Sequence, residues 1–189
     1  MYKNLPTLFV YLDRYNDQIF ENNTTNLGII YRNYNSCRRE VELSKIARAC
    51  KKKRYKLYVS NDLRLAMKVK ADGIYIPSFN KSKSFMNLEK KNLCVVGSAH
   101  NQKEIKTKIM QKCSALFISP IFFVEKKKQF LGIHKFNYLS RANKINVFAI
   151  GGINEKNIRK LKLLNIKGYA GIRMFKKKPA CKRPVFSKY

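Results

Sequence analysis

Eight short apolar runs, most of them followed by a stretch with helical periodicity, constrain the fold of this 189-residue chain more than any other feature. The runs are Leu8 to Leu12, Gly28 to Tyr31, Lys56 to Val59, Gly73 to Ile76, Leu93 to Val96, Ala115 to Ile118, Val147 to Ile150 and Gly168 to Ile172. Side chains alternate between the two faces of a strand, so a continuous apolar run is buried on both, as in a parallel sheet covered by helices. Between the runs, Glu40 to Lys52 brings Val41, Leu43, Ile46, Ala47 and Ala49 onto one helix face, and Gln102 to Lys112 does the same with Ile105, Ile109 and Met110. Asn154 to Asn165 repeats the pattern with Ile158, Leu161, Leu163 and Leu164. Eight such units in series predict an α/β fold, a (β/α)8 TIM barrel forming one compact domain over residues 1–175. Roughly 250 residues are typical of that barrel, so its helices and loops must be trimmed. The connection after the fourth strand reads as irregular. Residues 176–189 form a basic tail with Pro179 and Pro184, predicted to fray.

Composition narrows the partners. A net charge of +30 with a pI near 10.2 would ordinarily point to nucleic acid. Here the basic residues lie on nearly every predicted helix of a chain also rich in Asn and Ile, a compositional bias rather than a binding patch, and no specific nucleic-acid partner is expected. Cys37, Cys50, Cys94, Cys113 and Cys181 are odd in number and form no Cys-x-x-Cys pair, which favours reduced, mostly buried thiols. The N-terminal apolar run is broken by Asp13 and Arg14, and no segment approaches the length of a membrane span. A soluble cytoplasmic protein with no membrane partner is expected; the oligomeric state is left open.

The seventh run opens through Ala149-Ile150-Gly151-Gly152-Ile153-Asn154. A buried strand that turns through glycines onto a capping residue leaves backbone N–H groups aimed at one spot, an arrangement that suits phosphate. The same glycines also suit a plain tight turn. In a barrel, residues just beyond each strand face one mouth. Those positions are Asp13, Arg32, Asn61 with Asp62, Asn80, Ser98 with His100, Ser119, Lys127, Gly151 with Gly152, and Arg173. Two arginines, a lysine and a glycine cradle suit a small phosphorylated ligand.

At this point the chain resembles the thiamine phosphate synthase family, which includes related thiazole tautomerases. The resemblance rests on Ile30-Tyr31-Arg32, Tyr58-Val59-Ser60-Asn61-Asp62 with Leu65-Ala66, Ala71-Asp72-Gly73-Ile74-Tyr75-Ile76, and Gly97-Ser98-Ala99-His100. It continues through Ser119-Pro120-Ile121-Phe122 with Leu131-Gly132, then Ala149-Ile150-Gly151-Gly152-Ile153. It implies a barrel enzyme joining hydroxymethylpyrimidine diphosphate to thiazole phosphate, with loss of diphosphate preceding attack by the thiazole nitrogen. By position, it implies that Arg32, Asn61 and Lys127 hold the diphosphate and that Ser98 hydrogen-bonds near it. Gly151, Gly152 and Arg173 would take the thiazole phosphate, with His100 nearby, and Asp62 and Asn80 would ligate Mg²⁺. Asn61-Asp62 equally suits a cap for a helix starting at Leu63, and His134 reads as an exposed helix start.

The chain departs from the family pattern at several of these positions. Where the family shows Gln-x-Arg-x-Lys after strand two, this sequence has Ile30, Arg32 and Tyr34. Its Gln-Glu-Asp run after strand four is Ser78-Phe79-Asn80, which replaces a carboxylate with a neutral amide and lowers hard-cation affinity. Pro-Thr-x-Thr-Lys after strand six becomes Phe123-Val124-Glu125-Lys126-Lys127. The tautomerase histidine position is filled by Ser119 and Pro120, neither a general base, although His100 could act from the neighbouring strand. A synthase and a tautomerase-like or non-catalytic barrel for a phosphorylated thiazole therefore both follow from the sequence.

Overall fold

The computed structural model describes residues 5–21, 26–34, 36–86, 88–125, 129–141 and 144–171. They form a closed barrel of eight parallel strands in sequence order: β1 (Leu8–Leu12), β2 (Leu27–Tyr31), β3 (Lys56–Ser60), β4 (Gly73–Ile76), β5 (Cys94–Ala99), β6 (Ala115–Ile118), β7 (Asn146–Ile150) and β8 (Gly168–Gly171). Pairing of Leu8 with Leu27 on one side and with Tyr169 on the other closes the ring. The helices are α1 (Asp17–Glu21), α2 (Arg39–Lys53), α3 (Leu63–Lys68), α4 (Gln102–Met110) and α5 (Gly132–Arg141). Helices as short as α1 and α3 are how this chain fits the barrel into its length. Two 3-10 turns, Lys83–Phe85 and Leu88–Lys91, make the irregular connection after β4.

Strand alternation sorts the core into two layers. On β1, Val10 and Leu12 face the helices while Phe9 and Tyr11 point into the barrel; on β6, Leu116 and Ile118 face out while Ala115 and Phe117 point in. The interior is aromatic: the Phe9 ring lies edge-on to Phe117 at 4.9 Å and to Phe148 at 5.0 Å. Such rings fill a barrel at crystal-like density only if neighbouring positions are small. Gly28 makes that room, since a Cβ there would enter the Phe9 ring, and Gly73 does so beside Tyr58.

The helix predicted over Asn154 to Asn165 is instead a turn followed by a 3-10 helix, Ile158–Leu163. Asn154 Oδ1 accepts the N–H groups of Lys156 and Asn157, at 3.0 and 3.2 Å, while Asn157 Oδ1 accepts the N–H of Asn154 at 2.9 Å. These local side-chain bonds compete with the helical ladder and win. Cys50, Cys94 and Cys113 are buried and Cys37 is exposed, none of the four forming a disulfide among the described residues. Burial pushes the Cys50 and Cys113 thiols up to about 12. Among the described residues, no helix is long and apolar enough to cross a membrane. Lys127, Arg173, Cys181 and the tail lie outside the described residues.

Candidate functional site

A cavity of about 630 Å³ occupies the mouth of the barrel at the strands' C-terminal ends. Its polar lining includes Arg32, Tyr34, Tyr75, Ser98, His100 and Ser119, with Gly151 at one edge. Tyr11 and Tyr75, on β1 and β4, meet edge to face at 5.5 Å. The Arg32 guanidinium lies 5.3 Å from the Tyr11 ring centroid, close enough for cation–π attraction. Arg32 Nε also pairs with the exposed Asp13 carboxylate at 3.6 Å, while its guanidinium lines the cavity.

The Tyr11 hydroxyl is buried and completes no hydrogen bond of normal geometry among the described residues. Burial, and after it the neighbouring Tyr75 phenol, hold its pKa well above the usual tyrosine range. Burial likewise raises Tyr75, with the Ser98 and Tyr11 hydroxyls beside it working the other way. Both phenols are therefore neutral donors at ordinary pH. A buried hydroxyl without a partner is costly unless something outside the chain supplies one.

Arg32, Ser98, His100 and Gly151 come together on the cavity as the sequence predicts. His100 Nδ1 is 2.7 Å from the Ser119 carbonyl and 3.0 Å from its Oγ. A carbonyl only accepts, so the proton is assigned to Nδ1 and the ring is held by Ser119, the residue just after β6. Gly151 and Gly152 have φ of 97° and 71°. A Cβ on either would fall 2.7 Å from Pro120 or from Phe122. The glycines thus make a tight turn against the loop after β6. Among the described residues, no acceptor takes the Gly152 N–H, so the turn also keeps a donor available. His134 is an exposed residue of α5.

Asn61, Asp62 and Asn80, predicted at the mouth, are not among the residues lining this cavity; Asn61 and Asn80 bond to each other. Asn61 takes a left-handed φ of 58°, which asparagine tolerates, and its Oδ1 accepts from Asn80 Nδ2. Asn80 Oδ1 accepts the Ser82 N–H at 2.7 Å. The Asn80 carbonyl in turn takes Lys108 Nζ at 2.6 Å and Gln111 Nε2 at 3.1 Å, so α4 clamps the loop after β4 from beneath. Lys108 is fully buried, and that burial pushes its ammonium down to about 8 against weaker attraction from Cys113 and Glu104.

The donor chemistry tests the Mg²⁺ expectation. Asp62 Oδ1 accepts the Leu65 N–H at 2.9 Å and caps α3, while Oδ2 pairs with Arg39 Nη1 at 2.9 Å. Asn80 brings one neutral oxygen, already engaged, and turns its NH2 toward Asn61. Among the described residues, no cluster of three acidic, histidine or cysteine side chains gathers to hold a metal. A hard dication held through one or two free carboxylates does not fit this set.

The sequence reading selected residues past the strand ends and so missed Tyr11, Tyr75 and Arg39. Tyr11 and Tyr75 sit within strands on the barrel-facing side; polar-tipped aromatics at inward positions were the available signal. Arg39 opens α2, and nothing in its spacing points to Asp62.

The family described as thiamine monophosphate synthase matches residues 26–175. Two Prochlorococcus marinus proteins named thiamine-phosphate synthase are 32% identical over 124 residues and 30% identical over 138, covering 64% and 69% of this chain. The chain spans only 35% and 39% of the length of those two relatives. The fold is shared with a thiamine phosphate pyrophosphorylase structure from Pyrococcus furiosus, at a TM-score of 0.73 and 20% identity, covering 89% of this chain and 86% of that one.

Proposed function

Because the chain belongs to the thiamine monophosphate synthase family, we propose that its barrel mouth joins hydroxymethylpyrimidine diphosphate to thiazole phosphate, giving thiamine phosphate and pyrophosphate. The observation that carries this reading is the Arg32 guanidinium over Tyr11, whose buried hydroxyl completes no hydrogen bond of normal geometry among the described residues, at a cavity sized for small ligands. In the reaction, the bond between the pyrimidine methylene carbon and the diphosphate oxygen breaks, and pyrophosphate leaves with the electron pair. The thiazole nitrogen then forms the new bond to that carbon. No proton transfer is needed to balance the step.

Each residue has a part that its position supports. Arg32 holds the departing diphosphate, where charge builds as the bond breaks. Tyr11 and Tyr75, set edge to face, offer apolar ring surface with phenol donors, which seats a heteroaromatic ring and excludes water from the cationic carbon. Gly151 and Gly152 receive the thiazole phosphate on backbone N–H groups. Ser98 orients the diphosphate, and His100 borders the reacting groups. Asn61 and Asn80 position the loops around them. Lys127 and Arg173 are proposed to add cations at the phosphates. No step is assigned to a divalent ion, because Asp62 and Asn80 do not present a fitting donor set. The ligands are thus phosphorylated small molecules, and a cytoplasmic location follows the same reading.

The test is to mix the full chain with both substrates and follow thiamine phosphate by fluorescence after oxidation. Product formation supports the synthase. Thiazole phosphate binding without product would move the chain to a ligand-binding barrel.

A further inference from the structure

We propose that the guanidinium of Arg39 is a built-in cation at Asp62, standing where a divalent ion would otherwise sit, so that the mouth binds pyrophosphate without metal. The metal-free binding part rests on the anion-binding role proposed for the mouth; the pairing of Arg39 with Asp62 does not.

Arg39 is anchored by its own backbone: its carbonyl accepts the Tyr31 hydroxyl at 3.2 Å and its N–H bonds the Ser36 carbonyl at 3.1 Å. From there the side chain forks across β3. Nη1 donates to Asp62 Oδ2 at 2.9 Å and Nη2 to the Ser60 carbonyl at 2.7 Å. Its guanidinium lies 5.9 Å from the Tyr34 ring centroid, and Tyr34, bonded to Ser60 Oγ at 2.6 Å, lines the cavity. The cation therefore lies against a ring that lines the ligand space. Its Nε is buried and completes no hydrogen bond among the described residues, which leaves one donor of the fork uncommitted.

A dication approaching Asp62 would have to displace a charge-assisted bond and sit in contact with a guanidinium, a like charge. The remaining carboxylate oxygen already caps α3, and the acid nearest Arg32, Asp13, is engaged by it. Arg39 acts through Asp62 and Tyr34, so it is a positioning residue whose charge makes a metal redundant.

Two measurements on the full chain decide this. In Mn²⁺ titrations followed by electron paramagnetic resonance, the wild type should leave the ion free, while Arg39→Gln should bind it at the released Asp62. The double variant Arg39→Gln with Asp62→Asn should lose that site again. In calorimetry, pyrophosphate should bind the wild type in EDTA within about 3-fold of its affinity in Mg²⁺, whereas Arg39→Gln should weaken by about 10-fold or more in EDTA and recover with Mg²⁺. Arg39→Lys, which keeps the charge but not the fork, guards against a folding defect. Mn²⁺ binding by the wild type, or loss of its pyrophosphate binding in EDTA, would overturn the proposal. If pyrophosphate binds under neither condition, the anion-binding reading and metal-free binding fall together, and the Mn²⁺ comparison still decides the place of Arg39.

Discussion

At the scale of single residues, the Tyr11 hydroxyl is the group whose condition a ligand would change most. Buried and, among the described residues, completing no hydrogen bond of normal geometry, it costs the free protein stability, and a bound ring or phosphate would relieve that cost. Tyr11→Phe should therefore leave the melting temperature unchanged or raise it, while weakening thiamine phosphate binding by about 5- to 10-fold in calorimetry. Equal loss of stability and affinity would show that the hydroxyl serves packing instead. Lys108 gives a pH signature. Its folded pKa of about 8 lies below the unfolded value of 10.5, so between those values the unfolded chain holds a proton that the folded chain has shed. Stability then rises with pH across that window, by up to about 3 kcal/mol. Urea unfolding should show the wild type's stability, taken relative to that of Lys108→Met, rising from pH 8 to 10. A flat difference would mean that the buried ammonium keeps its proton.

At the scale of elements, the strands were legible because burial on both faces leaves an unbroken apolar run, and the observed strands start and end within a residue or so of the runs at most positions. β5 differs more, extending through Gly97-Ser98-Ala99, which pair with β6, and of the three Ser98 lines the mouth. The last predicted helix failed for the opposite reason: its apolar spacing is sound, but asparagine side chains divert its first turn. That Arg32, Ser98, His100 and Gly151 would face one mouth was legible from topology alone. Tyr11 and Tyr75 were not, because which side chains point inward depends on register, and Arg39 was not, because its partner lies on another unit. The aromatic interior carries its own prediction. Gly28→Ala would drive a Cβ into the Phe9 ring, which has Phe117 and Phe148 at its back, and should cost about 1–3 kcal/mol in urea unfolding. Little or no loss would mean that the ring stack has slack.

At the scale of the whole molecule, 41 Lys and Arg against 11 Asp and Glu give a field that gathers anions over the entire surface. Such a field speeds encounter with a diphosphate and is screened by salt. The mouth differs from the rest of that surface in having a shaped cavity with an aromatic floor, a glycine turn and an arginine aimed across it. It is this local geometry that the account makes responsible for catalysis. The most direct test is kcat/KM for thiamine phosphate formation by the wild type and by Arg32→Gln at matched ionic strength. The account predicts measurable turnover in the wild type and a fall on the order of 100-fold in the variant. Turnover unaffected by Arg32→Gln would contradict it by placing the chemistry elsewhere on the molecule.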